Sequence, residues 1–213
     1  ADVAITGSQK GLMTPPGLGF VFFNEKAARA RQAMTRVSPY WDWVPRVGPE
    51  ELYLYFAGTA PTHHLYGLRA SLDMIHAESI ERVWARHEHL AQAIWAACET
   101  WGNGGALRLN AAAKDHRSRA VTTVHLPAPD AASLRAWVEA HTGVTLGLGI
   151  GMQSEDDPTG EGVFRIGHMG HVNAHMVLGV LSAIEAGLKA LGIDHATGGV
   201  TSATDALAHS SAT

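Results

Sequence analysis

Residues 2–23 read DVAITGSQKGLMTPPGLGFVFF, and this stretch decides how the chain begins to fold. Its two ends, residues 2–7 and 18–23, are rich in β-branched and aromatic residues and predict short strands. The segment between them contains too many glycines and prolines for regular structure. The stretch therefore predicts two strands joined by a turn, with Lys10 at the exit of the first strand.

The lysine in this turn has two interpretations. Most lysines remain in solvent, so the ordinary expectation for Lys10 is an exposed loop residue. A lysine enclosed by a pocket loses hydration and can act as a neutral amine, which is the form that attacks an aldehyde. The neighbours favour the second interpretation, because Ser8 and Gln9 offer a hydroxyl and an amide to a phosphate. The nearby glycines also allow a flat ligand to approach the backbone closely.

Composition limits the classes to which the protein can belong. The chain has 213 residues and 46% hydrophobic content, enough for one large domain or two small ones. Its formal charge of -4 gives no basic surface for nucleic acid. No apolar run approaches the roughly 20 residues that cross a bilayer, so no membrane partner is expected. Cys98 is the single cysteine, which favours a reducing compartment and predicts a cytoplasmic protein.

Hydrophobic periodicity predicts the remaining elements. Helices are expected over residues 25–34, 62–77 and 80–101, and the third is expected to bury Trp84 among its apolar residues. After residue 102 the pattern predicts the order β, β, α, β, β, α, ending in a helix over residues 172–191. Residues 194–213 are small and polar and predict a flexible tail.

Three stretches in this order resemble class V aminotransferases of fold type I, the group of alanine–glyoxylate, serine–glyoxylate and serine–pyruvate aminotransferases. AITGSQKGLMTPPGLGFVFFNEKA at residues 4–27 resembles the lysine segment of that family. YFAGTAPTHHLYGLRASLDMI at 55–75 resembles the segment that reaches the partner subunit's cofactor site. FRIGHMGHVNAHMVLGVLSAIEAGLKALG at 164–192 resembles the strand with the substrate arginine and its following helix. The resemblance covers nearly all of residues 1–193.

The resemblance implies an α/β fold, the C-terminal part of a fold type I pyridoxal-phosphate-dependent transferase. Residues 1–77 would be the remainder of the large cofactor-binding domain and carry the lysine and the interface segment. Residues 78–193 would be the small α/β domain with a mainly antiparallel sheet, and 194–213 the flexible tail. The family's ring-binding and phosphate-binding elements that precede the lysine are missing. We therefore expect a C-terminal fragment that is inactive without the N-terminal half. We also expect the strand over residues 2–7 to be exposed or disordered unless a complementary piece pairs with it.

The resemblance also implies roles for five residues. Lys10 would form the Schiff base with pyridoxal 5'-phosphate and move the substrate's proton. Gln9 would contact the cofactor phosphate, and Ser8 would line the same site. Arg165 would hold the substrate carboxylate as a bidentate pair, unless it is a surface arginine on an edge strand. Thr59 would reach the phosphate in the neighbouring subunit of a homodimer, although a role in capping the following helix is nearly as common for such a residue.

The implied activity is transfer of an amino group from a small amino acid, serine or alanine, to glyoxylate or pyruvate. Two alternatives remain: a non-catalytic α/β fragment, or a lyase or decarboxylase of the same fold that shares the cofactor lysine. A zinc site is a separate rival, because His171 and His175 are four residues apart and His168 lies just ahead. The segment offers no supporting carboxylate for such ligands, so no metal is predicted.

Overall fold

The computed structural model describes residues 1–209 and divides the chain into two compact units. The first unit is Ala1–Glu78, and the second begins at Ser79. Each unit contains its own sheet. The two units differ in how much apolar surface they bury.

The first unit begins with the two expected strands. β1 (Val3–Gly7) pairs antiparallel with β2 (Gly19–Phe23), which confirms the predicted strand–turn–strand order. α1 (Glu25–Gln32) starts after Asn24, whose side-chain oxygen accepts the Ala27 N–H at 3.0 Å. This cap satisfies a backbone donor that the first turn of a helix leaves free. The first unit ends with α2 (Thr62–Glu78), close to the predicted range.

The two-stranded sheet leaves apolar side chains uncovered within the described chain. Ile5 is 75% exposed and Phe22 is 61% exposed. Of the two predicted states, exposed or disordered, the strand Val3–Gly7 is ordered and exposed. A sheet of two strands is marginally stable unless something packs against it.

The segment between α1 and α2 is irregular, as its aromatic and aperiodic sequence predicts. It contains two short 3-10 turns, Val44–Arg46 and Leu52–Phe56. Arg31 of α1 donates two hydrogen bonds to the Asp42 carboxylate, at 2.8 and 2.5 Å. These bonds hold the pKa of Asp42 below its usual range.

The second unit contains a four-stranded antiparallel sheet, and its elements follow the predicted sequence β, β, α, β, β, α after a first long helix. In chain order they are α3 (Ile80–Gly102), β3 (Arg108–Leu109), β4 (Val121–His125), α4 (Asp130–Thr142), β5 (Gly147–Leu148), β6 (Val163–Gly167) and α5 (Ala174–Ala190). Within the sheet the strands lie in the order β3-β4-β6-β5.

The core of the second unit lies between this sheet and its helices. Phe164 and Ile166 of β6 are buried there with Leu181 of α5 and Trp101 of α3. The prediction that α3 buries Trp84 is wrong, because that side chain is 65% exposed. The buried residues of α3 begin at Leu90, so the first turns of the helix lie outside the core although they keep the apolar period.

The prediction of a flexible tail over 194–213 is wrong for half of its length, since α6 (Gly199–Ala208) forms there. Ala203 is fully buried, and a Cβ on Gly199 would lie 2.0 Å from Trp101 Nε1. The Glu185 carboxylate accepts the Val200 N–H at 3.3 Å. Small residues, which suggested disorder, are the ones that allow α6 to pack closely. Residues 210–213 lie outside the described part of the chain.

Candidate active site

Lys10 lies at the start of a tight turn after β1. The Met13 N–H donates to the Lys10 carbonyl at 2.9 Å, and Met13 has a φ of 54°, in the left-handed region that few non-glycine residues adopt. Lys10 is exposed, and no hydrogen bond or ion pair within residues 1–209 involves its ammonium group. The enclosing pocket expected from sequence is thus not seen around it. The turn presents an amine that has no competing partner in the described chain.

Ser8 is buried within the loop rather than open to a ligand. Its hydroxyl donates to the Pro15 carbonyl at 2.7 Å and accepts the Leu18 N–H at 3.2 Å. Its carbonyl accepts the Thr14 N–H at 3.0 Å, and its exposed fraction is 0%. These bonds engage both the hydroxyl and the carbonyl of Ser8 within the loop, and a place for Ser8 in the cofactor site stays a prediction. The sequence shows that a hydroxyl lies near the lysine, but it does not show whether this hydroxyl points into the loop or toward solvent.

Gln9 is exposed beside Lys10, and its side chain folds back over the end of β1. A Cβ on Gly7 would lie 2.6 Å from Gln9 Oε1, so this arrangement depends on the glycine. The amide is therefore close to the backbone of the turn and open to solvent. Contact between Gln9 and a cofactor phosphate stays a prediction.

Contacts with α2 hold the same loop. Ser71 on α2 donates a hydrogen bond to the Leu12 carbonyl. His64 Nε2 donates to the Pro16 carbonyl at 2.9 Å, and a Cβ on Gly17 would lie 2.4 Å from that nitrogen. Neither contact could be predicted from the sequence, because Ser71 and His64 are 59 and 48 positions away from their partners.

Thr59 is exposed in the connection that precedes α2. No hydrogen bond of the Thr59 hydroxyl occurs in the described chain, so the capping alternative gains no support. The first backbone bond there joins the Thr62 N–H to the Ala60 carbonyl at 2.9 Å. A phosphate contact by Thr59 stays a prediction.

Arg165 lies on β6 between Thr123 of β4 and Gly147 of β5. It is half-buried, and its Nε donates to the Leu148 carbonyl. Its guanidinium lines a cavity of about 410 Å³ and forms no ion pair with any residue from 1 to 209. The half-buried position argues against the alternative of a surface arginine. Because Nε is committed, Nη1 and Nη2 are the groups available to an anion.

His168 lines the same cavity and is 1% exposed. Its Nε2 lies 2.9 Å from the Thr122 hydroxyl, which also accepts the Trp95 Nε1–H at 3.2 Å. The pKa of His168 is lowered to about 4, chiefly because burial disfavours the charged imidazolium. The imidazole is therefore neutral near pH 7, and Arg165 supplies the positive charge at this cavity.

The histidines behind the zinc alternative do not form a cluster. α5 begins at Ala174, so His171 precedes the helix, and both His171 and His175 are exposed. Residues 1–209 contain no group of three or more His, Cys, Asp or Glu side chains placed to hold a metal ion. Zinc binding thus has no support in the described structure. In the same part of the chain, no helix combines the length and the apolar character needed to cross a membrane.

Comparison with known proteins places these residues in a family. A family model described as aminotransferase class-V matches residues 1–155. The chain belongs to the class-V aminotransferases. It is 37% identical over 212 residues to the serine–glyoxylate aminotransferase of Arabidopsis thaliana, covering 98% of this chain and 50% of that protein. The serine–glyoxylate aminotransferase of Methylorubrum extorquens is 34% identical over 215 residues, which cover 97% of this chain and 50% of that protein.

The fold agrees with that assignment. The crystal structure of pyridoxamine–pyruvate aminotransferase from Mesorhizobium loti superimposes with a TM-score of 0.81 and 28% identity, over 98% of this chain and 52% of that one. The fold expected from the sequence, part of a fold type I transferase, is confirmed. The chain spans about half the length of the curated relatives it matches.

Class-V aminotransferases use pyridoxal 5'-phosphate, which confirms the cofactor expected from the sequence. The residues of the first unit suit this group. Lys10 offers an amine without a partner on a fixed turn, and Gln9 offers an amide beside it. Of the predicted site residues, the structure therefore brings together Lys10 and Gln9 as exposed groups and Ser8 as their buried support.

Proposed function

We propose that the whole protein is a pyridoxal-phosphate-dependent aminotransferase that moves an amino group from serine or alanine to glyoxylate or pyruvate. The observation that carries the proposal is the exposed, unpaired amine of Lys10 on a turn that hydrogen bonds hold at both ends. Membership of the family supports the same reaction class. The glyoxylate and pyruvate acceptors follow the names of the matched aminotransferases.

In this reaction the bound cofactor supplies an electron sink for the substrate's α-carbon. Lys10 has two tasks. Its Nζ would hold the cofactor covalently between turnovers. As a free amine it would take the proton from the substrate α-carbon and deliver it to the C4' atom of the cofactor. An amine suits this work because it can lose and regain a proton without leaving its position. Gln9 would bind the phosphate from beside the same turn.

Arg165 would bind the carboxylate that amino acids and 2-oxo acids share. Its Nε bond to the Leu148 carbonyl orients the guanidinium, and the two terminal nitrogens remain for the carboxylate oxygens. A planar guanidinium pairs with a carboxylate in a fixed geometry, which lysine does not. This contact would recognise the carboxylate, and other residues would determine the specificity for the substrate side chain.

The proposal includes the organisation of the whole protein. Residues 1–77 would belong to the large cofactor-binding domain, and the other half of the protein would cover the exposed Ile5 and Phe22. Residues 78–193 would form the small domain. Thr59 would serve the neighbouring subunit of a homodimer, which the molar mass of the whole protein in solution tests. Cys98, as the single cysteine, favours a cytoplasmic location.

Borohydride reduction of the whole, cofactor-loaded protein tests the central step. Reduction fixes the cofactor to the amine that holds it, and peptide mapping should find the label on Lys10. Lys10→Ala should lose the label and the transamination of serine or alanine with glyoxylate or pyruvate. Lys26→Ala is the matched control, since Lys26 is an exposed lysine paired with Asp2 at 2.8 Å. Label on any other residue would refute the proposal.

A further inference from the structure

The Leu12 carbonyl, two residues after Lys10, accepts hydrogen bonds from two hydroxyl groups. One comes from Thr14 in the same loop at 2.9 Å, and the other comes from Ser71 on α2. Thr14 is 3% exposed and Ser71 is 4% exposed, so both bonds are shielded from water. A carbonyl oxygen has two lone pairs, and here both have a donor. The orientation of this peptide group is thus fixed by one donor within the loop, Thr14, and by one on α2, Ser71.

This peptide group belongs to the turn that directs Lys10. The turn is closed by the bond from the Met13 N–H to the Lys10 carbonyl, and Met13 has a left-handed backbone. Such a conformation costs free energy in a residue with a side chain and persists where its surroundings hold it. Of the two α2 residues that bond to this loop, Ser71 is the one that bonds within the turn itself, at Leu12. The Ser71 hydroxyl is therefore placed to fix the backbone position from which the Lys10 side chain extends.

We propose that Ser71 is a positioning residue for Lys10. It acts through the Leu12 carbonyl and fixes the backbone from which the Lys10 amine extends. The inference rests on the proposed function, in which that amine holds the cofactor and moves the proton. A displacement of about 1 Å in a reacting group can cost about 100-fold in rate. Because Ser71 is buried between loop and helix, its loss should change catalysis and leave substrate affinity intact.

The test uses Ser71→Ala in the whole, cofactor-loaded protein. We expect kcat to fall about tenfold or more while KM changes less than about twofold. The induced circular dichroism of the bound cofactor should also fall, because the lysine no longer holds the ring in one orientation. Ser182→Ala on α5 removes the same hydroxyl from an exposed helical position and should change neither quantity.

Thr14→Val provides a second variant, since it removes the other donor to the same carbonyl with little change in shape. Each single variant leaves the Leu12 carbonyl one donor, so the double variant should lose more kcat than the product of the two single losses. If Ser71→Ala fails to fold, folded Thr14→Val should still show the split between kcat and KM. Unchanged kcat and circular dichroism in either folded variant would overturn the inference, provided that borohydride still labels Lys10. Label elsewhere in the wild type would instead overturn the proposed function.

Discussion

The loop that carries Lys10 and the strand that carries Arg165 are held by different forces. The loop is fixed by hydrogen bonds between side chains and backbone carbonyls, made by Ser8, Thr14 and Ser71. The strand is fixed by apolar packing, because Phe164 and Ile166 on either side of Arg165 are buried. The first region therefore depends on a few directional bonds, and the second depends on a large buried surface.

This difference teaches which changes each region tolerates. A hydrogen bond to a carbonyl fixes an angle and contributes about 1 kcal/mol, so its loss alters geometry more than stability. A buried aromatic ring contributes several times more and fixes no single angle. Substitutions in the loop should therefore change catalysis first, and substitutions under β6 should change stability first.

The largest expected effect is the loss of core packing at Phe164. Phe164→Ala should lower the free energy of unfolding of the second unit by about 3 to 5 kcal/mol, because the ring is fully buried and leaves a cavity. Urea unfolding followed by tryptophan fluorescence measures this change. Ile5→Ala in the first unit, where the side chain is 75% exposed, should cost less than about 1 kcal/mol in the same chain. Equal losses of unfolding free energy at both positions would show that apolar packing does not distinguish β6 from the first unit.

The next effect is a pH dependence caused by His168. Its pKa falls from about 6.5 in the unfolded chain to about 4 in the fold, so the stability from the neutral imidazole is complete above pH 6.5. It is lost as the pH falls toward 4, because the unfolded chain then binds the proton first. Over this pH range the shift corresponds to a loss of about 3 kcal/mol in the free energy of unfolding.

His168→Gln isolates this contribution, since the amide can still bond to the Thr122 hydroxyl. The variant should show a shallower fall in unfolding free energy between pH 7 and pH 4 than the wild type. Carboxylates with lowered pKa values, such as Asp157, also make the unfolding free energy fall as the pH falls. They are present in both proteins, so their contribution cancels in the comparison. Parallel curves for the two proteins would exclude His168 as the source.

The sequence predicted the fold well where local patterns carry the information. The strands around Lys10 and the long helices followed from residue type and period, and the family resemblance indicated the antiparallel sheet. Ser71 could not be predicted, because its partner Leu12 is 59 residues away and no local pattern joins them. The burial of Ser8 could not be predicted for the same reason, since burial depends on the residues that fold over it.

The tail shows the opposite error. Residues 194–213 were assigned to a flexible segment because small residues bury little apolar surface by themselves. In α6 the small size is what lets Gly199 approach Trp101. The close packing leaves no room for a side chain at position 199, because a Cβ there would overlap Trp101.

Gly199→Ala should therefore destabilise the second unit by about 1 to 3 kcal/mol, because the new methyl group would overlap the Trp101 ring. The expected loss has the opposite sign from the usual gain in helix propensity when alanine replaces glycine. Thermal unfolding of the second unit measures it. Gly179→Ala on α5, where a Cβ would meet nothing within 4 Å, is the control and should be neutral or stabilising. A stabilising Gly199→Ala would mean that α6 packs loosely.

The smallest effect compares two equivalent helix caps, one in each unit. Asn24 and Asn173 each accept a backbone N–H at 3.0 Å, from Ala27 and Met176 respectively. Asn173→Ala should lower the stability of the second unit by about 1 kcal/mol and leave α5 folded, because α5 has many buried residues.

Asn24→Ala removes the same bond from α1, an eight-residue helix in which Ala27 is the buried residue. So short a helix has little packing to retain it when its cap is lost. Amide hydrogen exchange should therefore accelerate throughout α1 in Asn24→Ala, whereas Asn173→Ala should accelerate exchange in the first turn of α5 alone. If exchange changes in the same way in both helices, packing holds α1 and α5 to the same degree, and the two units do not differ in how they retain a helix that has lost its cap.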